Sequence, residues 1–164
     1  MNIIEIEWSG PHLLDEALLA YSDTDFGLYA IYGTHNISGV DTLLYIGKVE
    51  DRNLGMRMSE HKNNYLDWAF PEYKIYFGRF GGEVHCLDAE WKSQINMSEI
   101  ILIDFCQPPY NSQGLNGLVG KVKDDIIIFN WGKRHRLPFE VSTIWMQTFH
   151  HKSTWKPYSN LHNK

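Results

Sequence analysis

A single carboxylate, Glu99, lies inside a very apolar stretch of the chain, "MSEIILIDFC". Apolar residues at helical spacing surround it on nearly every side, so the sequence predicts a largely buried carboxylate. An ionised group buried without a partner is costly or becomes neutral through a shift in its pKa. Glu99 therefore needs an arginine, a hydrogen-bond network or a cation. A structural arginine is one solution, and a divalent ion such as Mg²⁺, which often takes only one or two protein carboxylates, is the other.

Arg57 and His61 are four residues apart on a second predicted helix. This spacing places both side chains on one face, where a guanidinium and an imidazole could contact the same ligand. The alternative is an ordinary exposed polar face, since charged helix surfaces are common.

Two tyrosines lie beside glycines, Tyr29 in "GLYAIYG" and Tyr45 in "YIGKV". Strand alternation places Tyr29 on one face with Ile31, and Tyr45 on one face with Leu43 and Gly47. Pairing of the two strands would then bring Tyr45 opposite or diagonal to Tyr29. Half-buried core tyrosines with hydrogen-bonded hydroxyls are the alternative interpretation.

The elements that must position these side chains follow from periodicity and from turn residues. A hairpin with a longish loop, "THNISGV", is expected to join the two tyrosine strands, and Pro71 and the "PPYN" stretch are expected to end the helices before them. An apolar run near the C-terminus predicts a strand, a basic turn and a second extended segment, and "STIWMQTF" is a candidate helix. Strands are predicted at residues 2–8, 26–33, 41–49 and 73–80, and helices at 10–21, 52–70 and 87–105.

The composition predicts one folded unit, because 43% of the 164 residues are hydrophobic and 14% are aromatic. The first residues are acidic, and no apolar run resembles a signal peptide or a membrane span, so a cytoplasmic protein without a membrane partner is expected.

Cys86 and Cys106 lack the spacing of a zinc site. The net charge is −5, yet residues 118–164 hold eight Lys or Arg against three acidic residues. This uneven charge fits either a basic DNA-facing side or a solvated tail.

The order of these features resembles the GIY-YIG nuclease family. The matching features are "GLY" at 27–29, "YIG" at 45–47, Arg57 with His61, the helical Glu99, and Asn111 in "PPYN". The resemblance covers residues 26–114, with Leu28 in place of the isoleucine of the family name and fifteen residues between the two blocks, where the family has about ten. It implies an α+β fold with a small central antiparallel three-stranded sheet, flanked by helices and by short N- and C-terminal extensions.

The resemblance also implies roles for the site residues in hydrolysis of phosphodiester bonds. Glu99 would be the sole protein ligand of one Mg²⁺ ion, for which Mn²⁺ would substitute, and Arg57 would grip phosphate oxygens. Tyr29 or His61 would be the general base, and since free tyrosine has a pKa near ~10, nearby cations, with Lys48 and His61 as candidates, would have to lower it. The remaining two implied site residues are Tyr45, which would position water or phosphate, and Asn111, which would fix metal-bound groups.

The small size of the chain, with about fifty residues after the core, resembles the type II restriction endonucleases of this family. The implied partners are double-stranded DNA and a second copy of the chain on a palindromic site. A structure-selective, mobile-element or toxin nuclease is the alternative within the family, and a catalytically silent DNA-binding module is the alternative outside enzymes.

The C-terminal extension, residues 115–164, is the predicted DNA-contacting part of a single domain. Its "NWGKRHRLP" stretch places Lys133, Arg134 and Arg136 in a turn after an apolar strand. Such a turn could position phosphates, and an arginine in it could read a guanine edge. Ordinary surface charge is the alternative.

Overall fold

The structure, a computed structural model, describes residues 1–19, 26–50, 54–61, 73–81, 88–112, 122 and 124–144. These residues form one β-sheet and three helices. In chain order the elements are β1 (Asn2–His12), α1 (Leu14–Leu19), β2 (Gly27–His35), β3 (Gly39–Val49), α2 (Leu54–His61), β4 (Lys74–Phe80), α3 (Asp88–Cys106), β5 (Ile126–Gly132) and β6 (Glu140–Ser142). The α+β class predicted from the sequence is confirmed.

The sheet has six strands in the order β3-β2-β4-β1-β5-β6, so the predicted three-stranded sheet is wrong. β3, β2 and β4 are antiparallel, as expected, but β1 adds antiparallel to β4 and parallel to β5. The physical reason is that β4 leaves a second edge of unpaired backbone groups, which β1 covers, and the apolar β5 then covers β1. The residues outside the resemblance thus build half of the sheet.

Hydrophobic side chains pack on both faces of this sheet. Alternate residues of β2 enter different clusters, because successive strand side chains point to opposite faces. One cluster includes Leu28 and Ala30 and packs against α3 through Ile95 and Leu102. The other holds Tyr29 and Ile31 and packs against α1 and α2, for which the contacting residues are Ala17, Leu54 and Met58. The sheet therefore separates two layers of helices, and the site residues are divided between them.

Several element boundaries differ from the predicted ones. β1 continues to His12, so Pro11 lies in a strand and α1 begins only at Leu14. The "THNISGV" loop shrinks to the three residues 36–38, because both hairpin strands extend into it. α3 lies within one residue of its predicted bounds at its C-terminal end, before Pro108 and Pro109. The predicted helical segment 62–70 and most of "STIWMQTF" lie outside the described residues.

No helix in the described ranges is long and apolar enough to cross a bilayer.

Candidate active site at the β3 edge

The two tyrosines are brought together by the register of the β2–β3 hairpin. Tyr29 pairs with Gly47, and Ile31 pairs with Tyr45, so Tyr45 lies diagonal to Tyr29. Their rings are stacked at 24° with centroids 5.9 Å apart. A register shift between Ile31 and Tyr32 makes Leu44 an extra residue, which places both Leu44 and Tyr45 on the face of Tyr29. The expectation that Leu43 shares the Tyr45 face is therefore wrong.

Gly47 makes room for the Tyr29 hydroxyl. A Cβ atom at position 47 would lie 2.7 Å from Cε1 of Tyr45 and closer still to the hydroxyl of Tyr29. Real Cβ atoms do not approach other atoms so closely, so a larger residue would displace one of the two rings. Gly47 of "YIG" therefore determines where the phenol oxygen of Tyr29 in "GLY" lies.

The Tyr29 hydroxyl contacts two residues of α2. Its oxygen lies 2.6 Å from Nε2 of His61, and Nε of Arg57 donates to the same oxygen over 3.4 Å. Both contacts follow from the four-residue spacing that places Arg57 and His61 on one helix face. Arg57 thus places a cation beside the phenol, where the sequence suggests Lys48 or His61.

Burial and charge set the protonation of this group. Burial, followed by the nearby Arg57 guanidinium, lowers the pKa of His61 to about 4, so its ring is neutral at pH 7. Burial by itself would lower the pKa of Arg57. The contacts with Tyr29 and Glu60 outweigh burial, so the pKa of Arg57 is raised above its usual value. Nη1 of Arg57 donates to Oε2 of Glu60 at 2.7 Å. Arg57 is consequently a permanent cation that joins the phenol to a carboxylate.

Glu99 lies on the α3 side of the sheet, beside Lys48. The Nζ atom of Lys48 is 3.7 Å from Oε2 of Glu99 and 3.0 Å from Oε1 of Glu50, and it also donates to Oδ1 of Asn96. An ion partner of Glu99 is therefore a lysine, where the sequence suggests an arginine. Burial and then Glu50 raise the pKa of Glu99, while Lys48 and Arg57 partly oppose the shift and leave it above the ordinary value.

The two groups of side chains meet around β3, which is an outer strand of the sheet in the described residues. Tyr29, Tyr45, Arg57 and His61 lie on the α2 side, and Lys48 and Glu99 lie on the α3 side. Gly47 and Lys48 are consecutive on β3, so the Tyr29 hydroxyl beside Gly47 and the Lys48 side chain lie on opposite faces of the same part of the strand. The edge therefore presents a phenol, an imidazole, a guanidinium, an ammonium and a carboxylate together.

Asn111 lies beside the same edge but is engaged with the backbone. Its Oδ1 accepts from the amide of Ile46 at 3.0 Å, and its Nδ2 donates to the carbonyl of Ile46 at 2.8 Å. The amide of Tyr110 adds a third bond, to the carbonyl of Leu44. Asn111 thus holds the backbone between Tyr45 and Gly47, and its contacts with Ile46 use both ends of its amide group.

The basic turn after β5 folds back across the α3 side of the sheet. His135 stacks on Tyr76 with centroids 5.1 Å apart, and its Nε2 lies 2.9 Å from Oδ2 of Asp41. Arg136 is 61% exposed and pairs with Asp41 at 3.3 Å. Arg134 donates to the carbonyl of Leu137 and lies over the ring of Phe139. Lys133 is exposed, and its backbone amide donates to the carbonyl of Trp8.

Sequence reasoning missed three polar neighbours of the site, Glu50, Glu60 and Asn96. The spacing contained a signal for each of them. Glu50 is two residues from Lys48 along an extended chain, and Glu60 and Asn96 are three residues from Arg57 and Glu99 on helices. Each of these spacings places the two side chains on one face.

Comparison of the chain with protein-family models, with curated proteins and with solved structures found no match.

Proposed function

We propose that this protein is a divalent-metal-dependent endonuclease that hydrolyses phosphodiester bonds in duplex DNA, with an active site of the GIY-YIG type. The observation that carries the proposal is the position of the Tyr29 oxygen, 2.6 Å from His61 Nε2 and 3.4 Å from Arg57 Nε. A buried tyrosine that only fills the core does not need two nitrogen groups on its oxygen. This arrangement supports a phenol that handles protons.

The neutral imidazole of His61 suits a proton relay. Because burial and Arg57 lower its pKa to about 4, the ring is neutral at pH 7 and Nε2 can accept a hydrogen bond from the Tyr29 hydroxyl. An imidazole with so low a pKa is a weak base, so full transfer of the proton would require a bound phosphate, whose negative charge offsets that of Arg57 and raises the pKa of His61. As a water molecule gives its proton to the Tyr29 oxygen, the phenol proton would move to His61, and Arg57 would stabilise negative charge that develops on the phenol. In this relay Tyr29 and His61 act together, so neither is the base alone.

Arg57 is suited to a second task, the binding of a phosphate. Its guanidinium is permanently charged and its side chain is 39% exposed, so a DNA phosphate can reach it. On binding, the phosphate would replace the Glu60 carboxylate as the partner of Arg57, because both are anions that present oxygens to the guanidinium. Tyr45, partly buried and stacked on Tyr29, would then line the position of the water or the phosphate.

The residues at the edge fit a single Mg²⁺ or Mn²⁺ ion held mainly by Glu99. The Glu99 side chain is 19% exposed, so an ion can reach it, and the ammonium of Lys48 at 3.7 Å now occupies the place beside it that a metal ion would take. No group of three or more His, Cys, Asp or Glu with metal-binding geometry occurs in the described ranges, so water and phosphate would complete the ion's shell. When bound, such an ion supplies neutralisation of charge on the phosphate and the leaving oxygen.

The further proposal that the enzyme is a type II restriction endonuclease rests on the small size of the chain and on the exposed basic turn. Arg136, with 61% of its side chain exposed, is the arginine of that turn that is best placed to contact a base edge. A dimer of the chain on a palindromic site would present two such turns.

The test is cleavage of plasmid and bacteriophage DNA by the purified protein with Mg²⁺ and with Mn²⁺. Discrete fragments whose sequenced ends share one short motif are expected, and EDTA should stop the reaction. A smear of random fragments would contradict site-specific restriction, and intact DNA with both metals would contradict the nuclease.

The matched pair of variants is Glu99→Gln and Glu90→Gln, both on α3. Glu99→Gln keeps the shape but removes the charge, so we expect cleavage to fall by several orders of magnitude while DNA binding remains. Glu90 is exposed, and its variant should cleave like the original protein. Cleavage by Glu99→Gln within tenfold of the original would contradict the metal-ligand role.

A further inference from the structure

The ammonium group of Lys48 is surrounded by three oxygen-bearing side chains. Glu50 and Glu99 each place a carboxylate oxygen within 4 Å of Nζ, at 3.0 and 3.7 Å, and Asn96 accepts a hydrogen bond from it. The Asn96 amide is oriented by two further bonds, because its Nδ2 donates to Oε2 of Glu50 at 3.0 Å and to the carbonyl of Lys92 at 2.8 Å. Its oxygen therefore points towards the lysine. We call Glu50, Asn96 and Glu99 the oxygen cluster.

The oxygen cluster is attached to two regular elements. Lys48 lies near the end of β3 and Glu50 follows that strand, while Asn96 and Glu99 are one turn apart on α3. Carboxylate and amide oxygens are the ligands that hard divalent ions take, so the donor chemistry is the same for Lys48 and for Mg²⁺. Two carboxylates also carry more negative charge than one ammonium neutralises.

An ammonium and a divalent ion cannot share these oxygens. Both are cations, and at separations of a few ångströms inside a partly buried site their repulsion is much stronger than in water. A metal at Glu99 therefore requires that Lys48 moves. Lysine has a long flexible stem and binds phosphate well as a point charge, so DNA offers it another partner.

We propose that Lys48 is a built-in competitor of the metal: its ammonium occupies the oxygen cluster in the DNA-free protein, and a divalent ion binds at Glu99 once Lys48 transfers to a DNA phosphate. The inference rests on the proposed function, from which the metal and the DNA come. It adds that metal loading and DNA binding strengthen each other, by the same factor in both directions. The DNA-free enzyme would thereby hold little metal.

The test is a calorimetric titration of the DNA-free protein with Mn²⁺. We expect Lys48→Met to bind Mn²⁺ at least tenfold more tightly than the original protein, and the double variant Lys48→Met with Glu99→Gln to lose that gain. Lys74→Met is the matched control, because Lys74 pairs with a carboxylate, Asp41, at 3.1 Å outside the site. It should bind Mn²⁺ like the original protein. Equal or weaker binding by Lys48→Met would overturn the proposal.

A second measurement guards against misfolding of the variant. Lys48→Ala should show the same gain, and thermal unfolding with and without Mn²⁺ should give a larger upward shift of Tm for either lysine variant than for the original protein. Adding a non-cleavable DNA duplex should raise the Mn²⁺ affinity of the original protein much more than that of Lys48→Met. If the duplex raises the Mn²⁺ affinity of both proteins equally, Lys48 does not move from the oxygen cluster to a DNA phosphate.

The outcome separates this inference from the proposed function. DNA cleavage by the original protein, without a gain in Mn²⁺ affinity for Lys48→Met, would overturn the competitor and leave the nuclease standing. If Lys48→Met binds Mn²⁺ more tightly through Glu99 but the original protein cleaves no DNA, the competition at the oxygen cluster is supported and the nuclease is overturned.

Discussion

The hydroxyl oxygen of Tyr29 lies 2.6 Å from Nε2 of His61, although the two residues are thirty-two positions apart in the chain. One comes from the interior of a sheet and the other from the last turn of α2. The contact joins the "GLY" strand to the Arg57 and His61 face of α2. Four of the predictions test this contact and the residues that hold it in place.

Removal of the Tyr29 hydroxyl should stop the chemistry without unfolding the protein. Tyr29→Phe keeps the buried ring and its packing against Tyr45, but the relay loses its oxygen. We expect plasmid cleavage to fall by at least a hundredfold, with an unchanged circular dichroism spectrum. Tyr32→Phe is the control, because it removes another buried hydroxyl from β2, on the opposite face. Full activity of Tyr29→Phe would move the base role to His61.

Gly47→Ala should damage stability and activity together. The added methyl group would overlap the Tyr29 hydroxyl and the Tyr45 ring, and overpacking of this kind costs ~1–3 kcal/mol. Urea unfolding and plasmid cleavage measure the two effects. Gly81→Ala should be nearly neutral in both, since its Cβ would meet Glu5 at an ordinary 3.4 Å. A fully active Gly47→Ala protein would contradict the tight placement of the phenol.

Acid should destabilise the protein through His61. Burial and Arg57 lower the pKa of His61 from 6.5 to about 4, so the unfolded chain binds more protons than the folded chain between these values. Stability should therefore fall as the pH drops from 6.5 towards 4, by up to about 3 kcal/mol.

The measurement is urea unfolding at several pH values for the original protein and for His61→Gln. The variant should have a flatter pH dependence, because it lacks the proton uptake at position 61. Glu99 has a raised pKa and acts in the opposite direction, but it is present in both proteins and cancels in the comparison. Parallel curves would mean that His61 is not held neutral by burial.

Asn111→Asp distinguishes a metal-positioning role from a backbone-holding role. A carboxylate would still accept from the amide of Ile46, but it has no donor for the carbonyl and would place a negative charge beside it. We expect a loss of ~1–3 kcal/mol in unfolding free energy, with reduced cleavage. Unchanged stability and stronger Mn²⁺ binding would instead indicate that position 111 acts on the metal.

The basic turn is tested by binding titrations on cognate and scrambled duplexes at two salt concentrations. Arg136→Ala should weaken only the cognate complex, by roughly 1–3 kcal/mol, if Arg136 reads a base. Lys133→Ala should weaken both duplexes alike and reduce the salt dependence by about one phosphate contact. Equal losses on both duplexes for Arg136→Ala would make it a phosphate contact too. Unaltered affinities in both variants would remove the turn from the DNA interface.

The sequence predicted the helices and strands around the site well, because their patterns are local. The four-residue spacing of Arg57 and His61 predicts one shared face, and both residues do contact the Tyr29 oxygen. Strand alternation predicts that Tyr29 lies near Tyr45, and their rings stack. The bulge at Leu44 could not be predicted, since an extra residue in a strand depends on the register with its partner.

The rest of the sheet depends on pairings between distant segments. β1 was predicted as a strand, but nothing in "NIIEIEW" specifies a parallel partner 124 residues further along the chain, as in the pairing of Asn2 with Ile126. Lys48 was singled out beside the tyrosine block, whereas its contacts with Asn96 and Glu99 depend on how α3 crosses the sheet. Such contacts need the tertiary structure, because no single element contains both members.

The amide of Asn111 has a consequence for how copies of this chain can associate. An outer strand with unpaired backbone groups is a template on which another chain can add a strand. At Ile46 these groups are already bonded to Asn111, and at Leu44 the carbonyl is bonded to Tyr110. The middle of β3 is therefore closed to sheet extension, which protects the tyrosine block from edge-to-edge aggregation. The proposed dimer on DNA would therefore not form by strand addition at this position.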